Sequence, residues 1–390
     1  MKGTLRWTWP VLLLAALVLV PRGLYHVRDR TELNVVVLDK TVPFRLWLEH
    51  RSLFWAMRAL GVVTAAGAPY DWEKDYLGAY PPETPGDPPE RTRDLAAADL
   101  ERADLLYIAD TYGVYRDDLK SGEKMLAALE RSPKVYGGLG LVEARAAEEY
   151  VRRGGLLVSE FNSLGSPTED APRETLQRTM GVYWTRWIGR FFTDLDSTDE
   201  VPQWMRRNYE REWKRPWTFT GPGYVLCYED AHVEVLRVGP EVAARGLRLD
   251  RAASSDTTLE RAADGILYPY WFDVVENAGD AEVLATFTWQ PTEAGRARLT
   301  ARGLPETFPA VTVKRYAGGG RAFYFAGDFA DNPLETAEVP FAGYLTVRRW
   351  IEGLKVAPSE HAFYWRFYLP LVDRLLRDAA IRRSGTAGGR

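Results

Sequence analysis

The chain has 390 residues, 46% of them hydrophobic, and 50 Lys and Arg against 54 Asp and Glu give a formal net charge of −4. This length and apolar content suffice for a packed core of one or two domains and exclude a disordered chain. No basic run typical of a nucleic-acid-binding surface is present, so we predict no nucleic-acid partner. The single cysteine, Cys227, excludes an intramolecular disulfide and a Cys-x-x-Cys metal or redox motif.

The N-terminal segment, residues 1–30, is typical of a signal peptide or an uncleaved membrane anchor. Lys2 and Arg6 precede an almost wholly aliphatic run at residues 11–20. The uncharged stretch at residues 7–21 is short for a full span, since about 20 residues are usual, and no small-residue cleavage site follows it. We therefore predict that residues 7–21 contact a membrane as an anchor, with the body outside the cytoplasm. A cleaved signal peptide and a buried soluble helix are the alternatives.

Strand-like and helix-like segments alternate after residue 31. Short apolar runs are typical of strands buried on both faces of a parallel sheet, and apolar residues at helical spacing between them predict crossover helices. The fold class predicted is therefore α/β, with an open, mostly parallel sheet and crossover helices. The predicted strands lie at residues 33–38, 105–109, 134–138 and 155–161, and the predicted helices at residues 48–60 and 141–152.

The pattern changes after residue 170, where Trp and Arg become frequent. Alternating runs further along the chain predict added β-strands, and broad apolar faces near the end predict helices. The predicted organisation is an N-terminal anchor at 1–30, a first part of the α/β core at 31–170, a Trp/Arg-rich helical insertion at 171–222, a β-rich part completing the core at 223–335, C-terminal helices at 336–382 and a disordered tail at 383–390.

Several stretches together resemble a known fold family. They are DLLYIAD, then VYGGLGLVEARAAEEYVRRGGLLVSEF, and then VLATFTWQP with VTVKRYAGGGRAFYFAGDFAD. This succession resembles the class I glutamine amidotransferase-like fold. More narrowly, it is similar to the non-catalytic relatives of that fold, such as the trimerisation domain of bacterial β-galactosidases and uncharacterised membrane-linked bacterial proteins. The resemblance covers residues 33–165 and 280–332.

The chemistry of that family requires a cysteine in a tight strand-to-helix corner, activated by a histidine that a carboxylate orients. This sequence has no Gly-x-Cys-x-Gly, and Cys227 lies within the strand-like GYVLCYED. We therefore expect Cys227 to be a buried, unreactive thiol. No catalytic residue carries over from the family, and no Cys-His-Glu triad is recognisable.

Three of the predicted strands end in an acid, namely Asp39, Asp110 and Glu160. Ligands of open α/β sheets bind beyond the carboxyl ends of the strands, so these acids are expected to form one mouth suited to a hydroxyl-rich or amine-bearing ligand. The alternative is that each acid caps a helix or holds a loop. The ligand-binding candidates are Asp39, Lys40, His50, Asp110, Tyr112, Glu160, Asn162 and Asp328.

His50 shares a predicted helix face with Leu53, Phe54 and Met57. It is either a packed core histidine or a site histidine paired with Asp39 or Asp110. The remaining histidines show no ligand spacing such as His-x-x-x-His, so a zinc site is not expected. We predict no metal and no cofactor.

The resemblance implies a protein anchored in the bacterial inner membrane, with a catalytically degenerate amidotransferase-like domain. Its role would be binding or assembly, in cell-surface polysaccharide or envelope processes. A glycan or a protein is the expected partner, and oligomerisation stays open. The alternative is a carboxylate-dependent hydrolase acting on a glycan through Asp39, Asp110 and Glu160, with His50 as an acid or base.

Overall fold

A computed structural model describes residues 5–120, 132–229, 232–243, 245–332, 341–354 and 361–387. The helices are α1 (Leu5–Val27), α2 (Leu48–Leu60), α3 (Leu141–Arg152), α4 (Asp170–Met180), α5 (Gln203–Trp213), α6 (Glu293–Ala301), α7 (Tyr344–Leu354) and α8 (Leu369–Ala387). The strands are β1 (Thr31–Glu32), β2 (Val35–Asp39), β3 (Val62–Val63), β4 (Leu77–Tyr80), β5 (Arg91–Arg93), β6 (Leu105–Asp110), β7 (Val114–Tyr115), β8 (Lys134–Tyr136), β9 (Leu156–Ser159), β10 (Val182–Phe192), β11 (Gly223–Tyr228), β12 (Val233–Arg237), β13 (Leu247–Arg251), β14 (Ile266–Tyr268), β15 (Phe272–Asn277), β16 (Glu282–Thr288), β17 (Thr307–Arg315) and β18 (Arg321–Phe325).

The largest sheet is mixed. Its ten strands run in the order β14-β13-β16-β17-β18-β9-β6-β2-β4-β5, parallel from β18 to β4 and antiparallel elsewhere. The fold is therefore mixed α/β, and the predicted mostly parallel arrangement holds only for the five central strands. The turn at residues 316–320 joins β17 to β18, and so short a connection permits only antiparallel pairing.

A second sheet has the order β12-β11-β10-β15. Its longest strand, β10, lies within residues 171–222, so the helical insertion predicted there is wrong in part. The segment does contain α4 and α5. In β10 the alternation of side chains is interrupted by an irregularity between Trp184 and Ile188, where Arg186 has a φ of 71°. Such a bulge breaks the two-residue period that identifies a strand.

Two further predictions differ from the structure. The strand predicted at residues 134–138 is not part of the large sheet, because β8 pairs antiparallel with β7 in a separate two-stranded sheet. The tail predicted as disordered is helical through Ala387, where α8 ends; residues 388–390 lie outside the described residues. Arg382 donates to the carbonyl oxygens of Gly154 and Gly319 at 3.1 and 2.6 Å, which fixes the last turns of α8.

The predicted anchor at residues 7–21 and the inner-membrane localisation based on it are wrong. The segment does form α1, but no helix among the described residues has both the length and the apolarity required to cross a bilayer. The aliphatic run at residues 11–20 covers about 15 Å at 1.5 Å per residue, against a hydrocarbon core of about 30 Å.

The core is built around the parallel strands. Strand β6 is buried along its whole length, as expected of a strand covered on both faces. Helix α2 packs against β2, β6 and α8, while α3 and α4 pack against each other and contact β9 and β18. Because the parallel strands point in one direction, their carboxyl ends and the loops that follow share one edge of the sheet.

Gly78 allows β4 to pair with the end of β2. It lies opposite Asp39 with a φ of +126°, and a Cβ at this position would be 1.6 Å from the Asp39 carbonyl oxygen. Only glycine combines this φ with so close a backbone approach.

We therefore expect Gly78→Ala to lower the free energy of unfolding by about 3 kcal/mol or more, because strain and a backbone clash add together. Gly67→Ala is the matched control. Gly67 also has a positive φ, +76°, but nothing lies within 4 Å of its added Cβ, so only the left-handed penalty of about 1 kcal/mol applies. Urea denaturation of both variants measures the difference, and equal losses would show that the Asp39 contact is unimportant.

Candidate functional site

The carboxyl ends of β2, β6, β9 and β18 lie side by side. Asp39 and Asp110 are the last residues of β2 and β6 and face each other in the sheet register. Glu160 follows β9 directly, and Asp328 lies in the loop after β18. The structure therefore brings four of the predicted candidates to one edge of the sheet, where ligands of such sheets bind.

Asp39 and His50 form a buried pair. The Nδ1 atom of His50 lies 2.5 Å from Oδ2 of Asp39, and its Nε2 atom lies 2.8 Å from the carbonyl oxygen of Trp72. Since a carbonyl only accepts, Nε2 carries a hydrogen, and the Nδ1 contact with Asp39 contains a further proton. The second oxygen of Asp39 accepts from the Thr41 backbone N–H at 2.8 Å. His50 is thus the orienting partner of Asp39.

Asp110 is held by the loops on either side of it. The Thr41 hydroxyl and the Tyr112 backbone N–H each donate to Oδ1 at 2.5 Å, and the Asn162 amide donates to Oδ2 at 3.2 Å. Thr41 therefore contacts both Asp39 and Asp110, and Asn162 brings the loop after β9 to the same place. Burial raises the pKa of Asp110 to about 7, and these hydrogen bonds limit the rise.

Glu160 is fully buried and fixes the loop after β18. Its Oε2 accepts from the backbone N–H groups of Phe329 and Ala330 at 3.1 and 3.0 Å, and its Oε1 accepts from the Tyr107 hydroxyl. The carbonyl oxygen of Ala330 in turn accepts from the Ser52 hydroxyl of α2 at 2.5 Å. Both oxygens of Glu160 are thus occupied, which makes it a residue that positions this loop.

The loop that Glu160 positions presents two aspartates to a third acid. Glu49 in the first turn of α2, Asp328 and Asp331 each place one carboxylate oxygen within 4.8 Å of the others. Asp328 is only 6% exposed, and among the described residues its carboxylate has no hydrogen-bond or ion-pair partner. Oε2 of Glu49 is shielded from solvent and has no hydrogen-bond partner among the described residues. We call Glu49, Asp328 and Asp331 the acidic cluster.

Burial and mutual repulsion disfavour ionisation in the acidic cluster. Burial, then the charges of Asp331 and Asp328, raises the pKa of Glu49 well above its ordinary value. Burial, then the charges of Asp331 and Asp110, does the same for Asp328. Burial raises the pKa of Asp331 to about 6, a shift that Arg190 of β10 limits. Full ionisation of the three groups would leave more negative charge than the surroundings offset, a situation that is common where a ligand completes a site.

Two predicted candidates have other partners. The Lys40 ammonium forms ion pairs with Glu143 at 2.6 Å and Asp94 at 2.8 Å, so it ties β2 to α3. The Tyr112 ring packs on Tyr115 with 4.9 Å between centroids, and only its backbone N–H reaches Asp110. Neither side chain is seen to contact the acidic cluster.

Three residues of the site were not among the sequence candidates: Glu49, Asp331 and Arg190. A usable signal existed for the first, because Glu49 precedes His50 directly at the start of a helix that follows an Asp-ending strand. Asp331 lies in the same Gly-Asp-Phe-Ala-Asp segment as Asp328. Arg190 lies on a strand of the second sheet, and no local pattern indicates that it approaches this edge.

Neither Cys227 nor Ser159 has the surroundings of a nucleophile. Cys227 is buried in β11 as expected, and burial raises the pKa of its thiol. The Ser159 hydroxyl, also fully buried, lies 2.8 Å from the Ser163 hydroxyl, a group that cannot act as a base. The stretch around Ser159 therefore lacks the arrangement of a nucleophile.

Comparisons with protein-family models and with curated proteins find no match. Among solved structures, the chain is similar to a ThuA-like protein from Parabacteroides merdae ATCC 43184, with 13% identity over 90% of each chain and a TM-score of 0.39. It is also similar to a ThuA-like protein from Bacteroides uniformis ATCC 8492, with 8% identity over 90% of this chain and 92% of that chain and a TM-score of 0.39. The β-galactosidase from Rahnella sp. R3 matches with 14% identity and a TM-score of 0.31 over 84% of this chain but only 32% of that chain. These low scores support no transfer of function.

We expect Glu160→Gln to flatten the dependence of stability on pH. Burial raises the pKa of Glu160 to about 8, above about 4.3 for an unfolded glutamate. The folded state therefore binds the proton more tightly, and stability is greatest at low pH and falls between about pH 4.3 and 8, by about 1.4 kcal/mol per pH unit. Glutamine is neutral at every pH and removes this contribution.

Urea denaturation at intervals from pH 5 to 8 measures the slope. Asp110 and Asp273 have pKa values raised in the same direction, so a shallower slope remains in the variant. The exposed Glu169→Gln is the control and leaves the profile unchanged. Parallel profiles for wild type and Glu160→Gln would contradict the assignment of Glu160 as a buried, proton-retaining acid.

Proposed function

We propose that this protein is a ligand-binding domain on a catalytically degenerate amidotransferase-like sheet, and that it binds a positively charged ligand at the acidic edge formed by β2, β6, β9 and β18. The amidotransferase-like assignment is supported by the motifs around YVRRGG and AGGGRAFYFAGD. It is also supported by their positions in adjacent parallel strands, β9 and β18. The observation that carries the binding role is Asp328, which is only 6% exposed and whose carboxylate has no hydrogen-bond or ion-pair partner within the part of the chain that the structure describes.

The absence of a suitable nucleophile supports binding over amidotransferase chemistry. A glutaminase requires a thiolate at a strand-to-helix corner. The one cysteine of the sequence lies inside β11, and burial in apolar surroundings keeps a thiol protonated. The edge of the sheet that would carry the chemistry instead carries acids.

The carboxylates at this edge favour a positively charged ligand. Two buried carboxylates, Asp39 and Asp110, lie beside the acidic cluster, and the charges of both raise the pKa of Glu49. Arg190 acts on the cluster in the opposite direction, while Lys40 is engaged by Glu143 and Asp94. A ligand that carries positive charge would relieve the repulsion, whereas an anionic ligand would increase it.

The hydrolase alternative has less support from the hydrogen bonding. A catalytic carboxylate needs an oxygen that can reach substrate. Both oxygens of Glu160 accept protein hydrogen bonds, and both oxygens of Asp39 contact His50 or Thr41. These contacts favour positioning roles for Glu160 and Asp39. Among the described residues, Oε2 of Glu49 and the Asp328 carboxylate have no hydrogen-bond partner.

If a residue serves binding at the expense of stability, its replacement should raise the free energy of unfolding of the ligand-free protein. We expect Asp328→Asn to raise the free energy of unfolding in ligand-free, EDTA-containing buffer at pH 7.5 by about 1 kcal/mol or more. The pKa of Asp328 is raised in the folded state, so folding at this pH must either protonate the group or bury its charge, and asparagine removes that cost. The matched control is Asp378→Asn. Asp378 is buried to a similar degree but pairs with Arg321 and Arg374, so its loss is expected to cost about 1–3 kcal/mol.

Binding itself is tested with three probes at matched ionic strength: spermidine, calcium chloride and the neutral sugar maltotetraose. We expect at least one cationic probe to raise the melting temperature of the wild type and to leave that of Asp328→Asn unchanged, as mass action requires of a ligand that binds the folded state. Stabilisation by maltotetraose alone would contradict a cationic ligand. No stabilisation by any probe, together with a destabilised Asp328→Asn variant, would overturn the proposed function.

A further inference from the structure

We infer that Glu49, Asp328 and Asp331 bind a hard divalent cation of the Mg²⁺, Mn²⁺ or Ca²⁺ class. This inference rests on the proposed function and names the ligand of the same edge. It departs from the sequence-based expectation of no metal, which considered only histidine and cysteine ligand patterns.

The spacing of the three oxygens suits a single ion. Ligands on opposite sides of an ion are separated by twice the ion–oxygen distance, about 4.2 Å for Mg²⁺ and about 4.8 Å for Ca²⁺. The three carboxylate oxygens all lie within 4.8 Å of one another, so one ion can contact all of them.

Asp328 is a second and independent observation that indicates a ligand. A buried ionisable side chain normally has a partner, because leaving a charge unpaired away from water is costly. Asp328 is 6% exposed and faces Glu49 and Asp331 with no hydrogen-bond or ion-pair partner in the part of the chain that the structure describes. A cation between the three groups supplies the missing partner.

The surrounding residues hold the ligands as metal sites require. Loop residues Phe329 and Ala330, between the two aspartates, donate their N–H groups to Glu160, and Ala330 also accepts from Ser52 of α2. Asp328 and Asp331 are thereby fixed relative to α2, which carries Glu49. Preorganisation of this kind by outer hydrogen bonds is general in metal sites.

The ligand chemistry selects the class of ion. Carboxylate oxygens are preferred by Mg²⁺, Ca²⁺ and Mn²⁺, whereas zinc and copper favour imidazole and thiolate. His50, which follows Glu49 in the sequence, already contacts Asp39 and the Trp72 carbonyl through its two ring nitrogens. Glu49 and Asp331 keep partial exposure, so the ion can retain water in its remaining positions.

The experiment uses the full chain, treated with EDTA and then dialysed. Isothermal titration with Ca²⁺, Mg²⁺ and Mn²⁺ is expected to give one site per chain with a dissociation constant below about 1 mM for at least one ion. Glu49→Gln and Asp331→Asn should each weaken binding by at least about tenfold, and Asp378→Asn should leave it unchanged. Unaltered circular dichroism of each variant shows that the fold is retained.

Mn²⁺ electron paramagnetic resonance gives a readout that does not depend on heat or stability. Free Mn²⁺ signal should decrease by one equivalent with wild type and with Asp378→Asn, but not with Asp328→Asn. No saturable binding of any of the three ions below 1 mM, or equal binding by Glu49→Gln and wild type, would overturn the inference. Stabilisation by spermidine in the absence of ion binding would overturn the metal site alone and leave the proposed function intact.

Discussion

Glu160 accepts hydrogen bonds from the backbone N–H groups of Phe329 and Ala330, and the arrangement of the other acids at this edge of the sheet depends on this interaction. It joins the end of β9 to the loop after β18. Phe329 is fully buried and stacks on Phe325, which helps to hold the loop between the two aspartates. Asp328 and Asp331 lie beside Glu49 of the first turn of α2.

The roles of the acids follow from their hydrogen bonding. Asp39, Asp110 and Glu160 were expected to form the mouth together, yet each is largely occupied by protein donors. These three acids hold the loops at the edge of the sheet, beside the acidic cluster. The acidic cluster itself comes from the loop after β18 and from the first turn of α2.

Local sequence could predict the strands that end at Asp39, Asp110 and Glu160. β2, β6 and β9 are continuous apolar runs that end in an acid or just before one, and such runs are specific for strands covered on both faces. The pairing of His50 with Asp39 was among the alternatives and is present. Helix α2 begins and ends where its apolar face and Gly61 place it.

Other features depend on tertiary arrangement and could not be predicted in this way. The position of β18 beside β9 decides which loop reaches Glu160, and no local pattern specifies strand order. The sequence pattern did not indicate β10, because its bulge at Arg186 shifts the alternation of side chains. Strand β8 pairs with β7 outside the large sheet, and two of its three residues, Lys134 and Val135, are exposed. The sequence pattern of α2 indicates only a helix that packs on the core. Glu49 belongs to the site because Asp328 and Asp331 lie close to it in the folded chain, which local sequence does not indicate.

The contact between Ser52 and Ala330 has a consequence for how the protein acquires its site. These residues are 278 positions apart in the chain, and Glu160 is 170 positions from Ala330. Contacts of such sequence separation form late and slowly, because the loop they close must lose its freedom first. The acidic cluster joins Glu49 to two residues more than 270 positions further along the chain, so it is complete only when the two ends of the α/β core have come together.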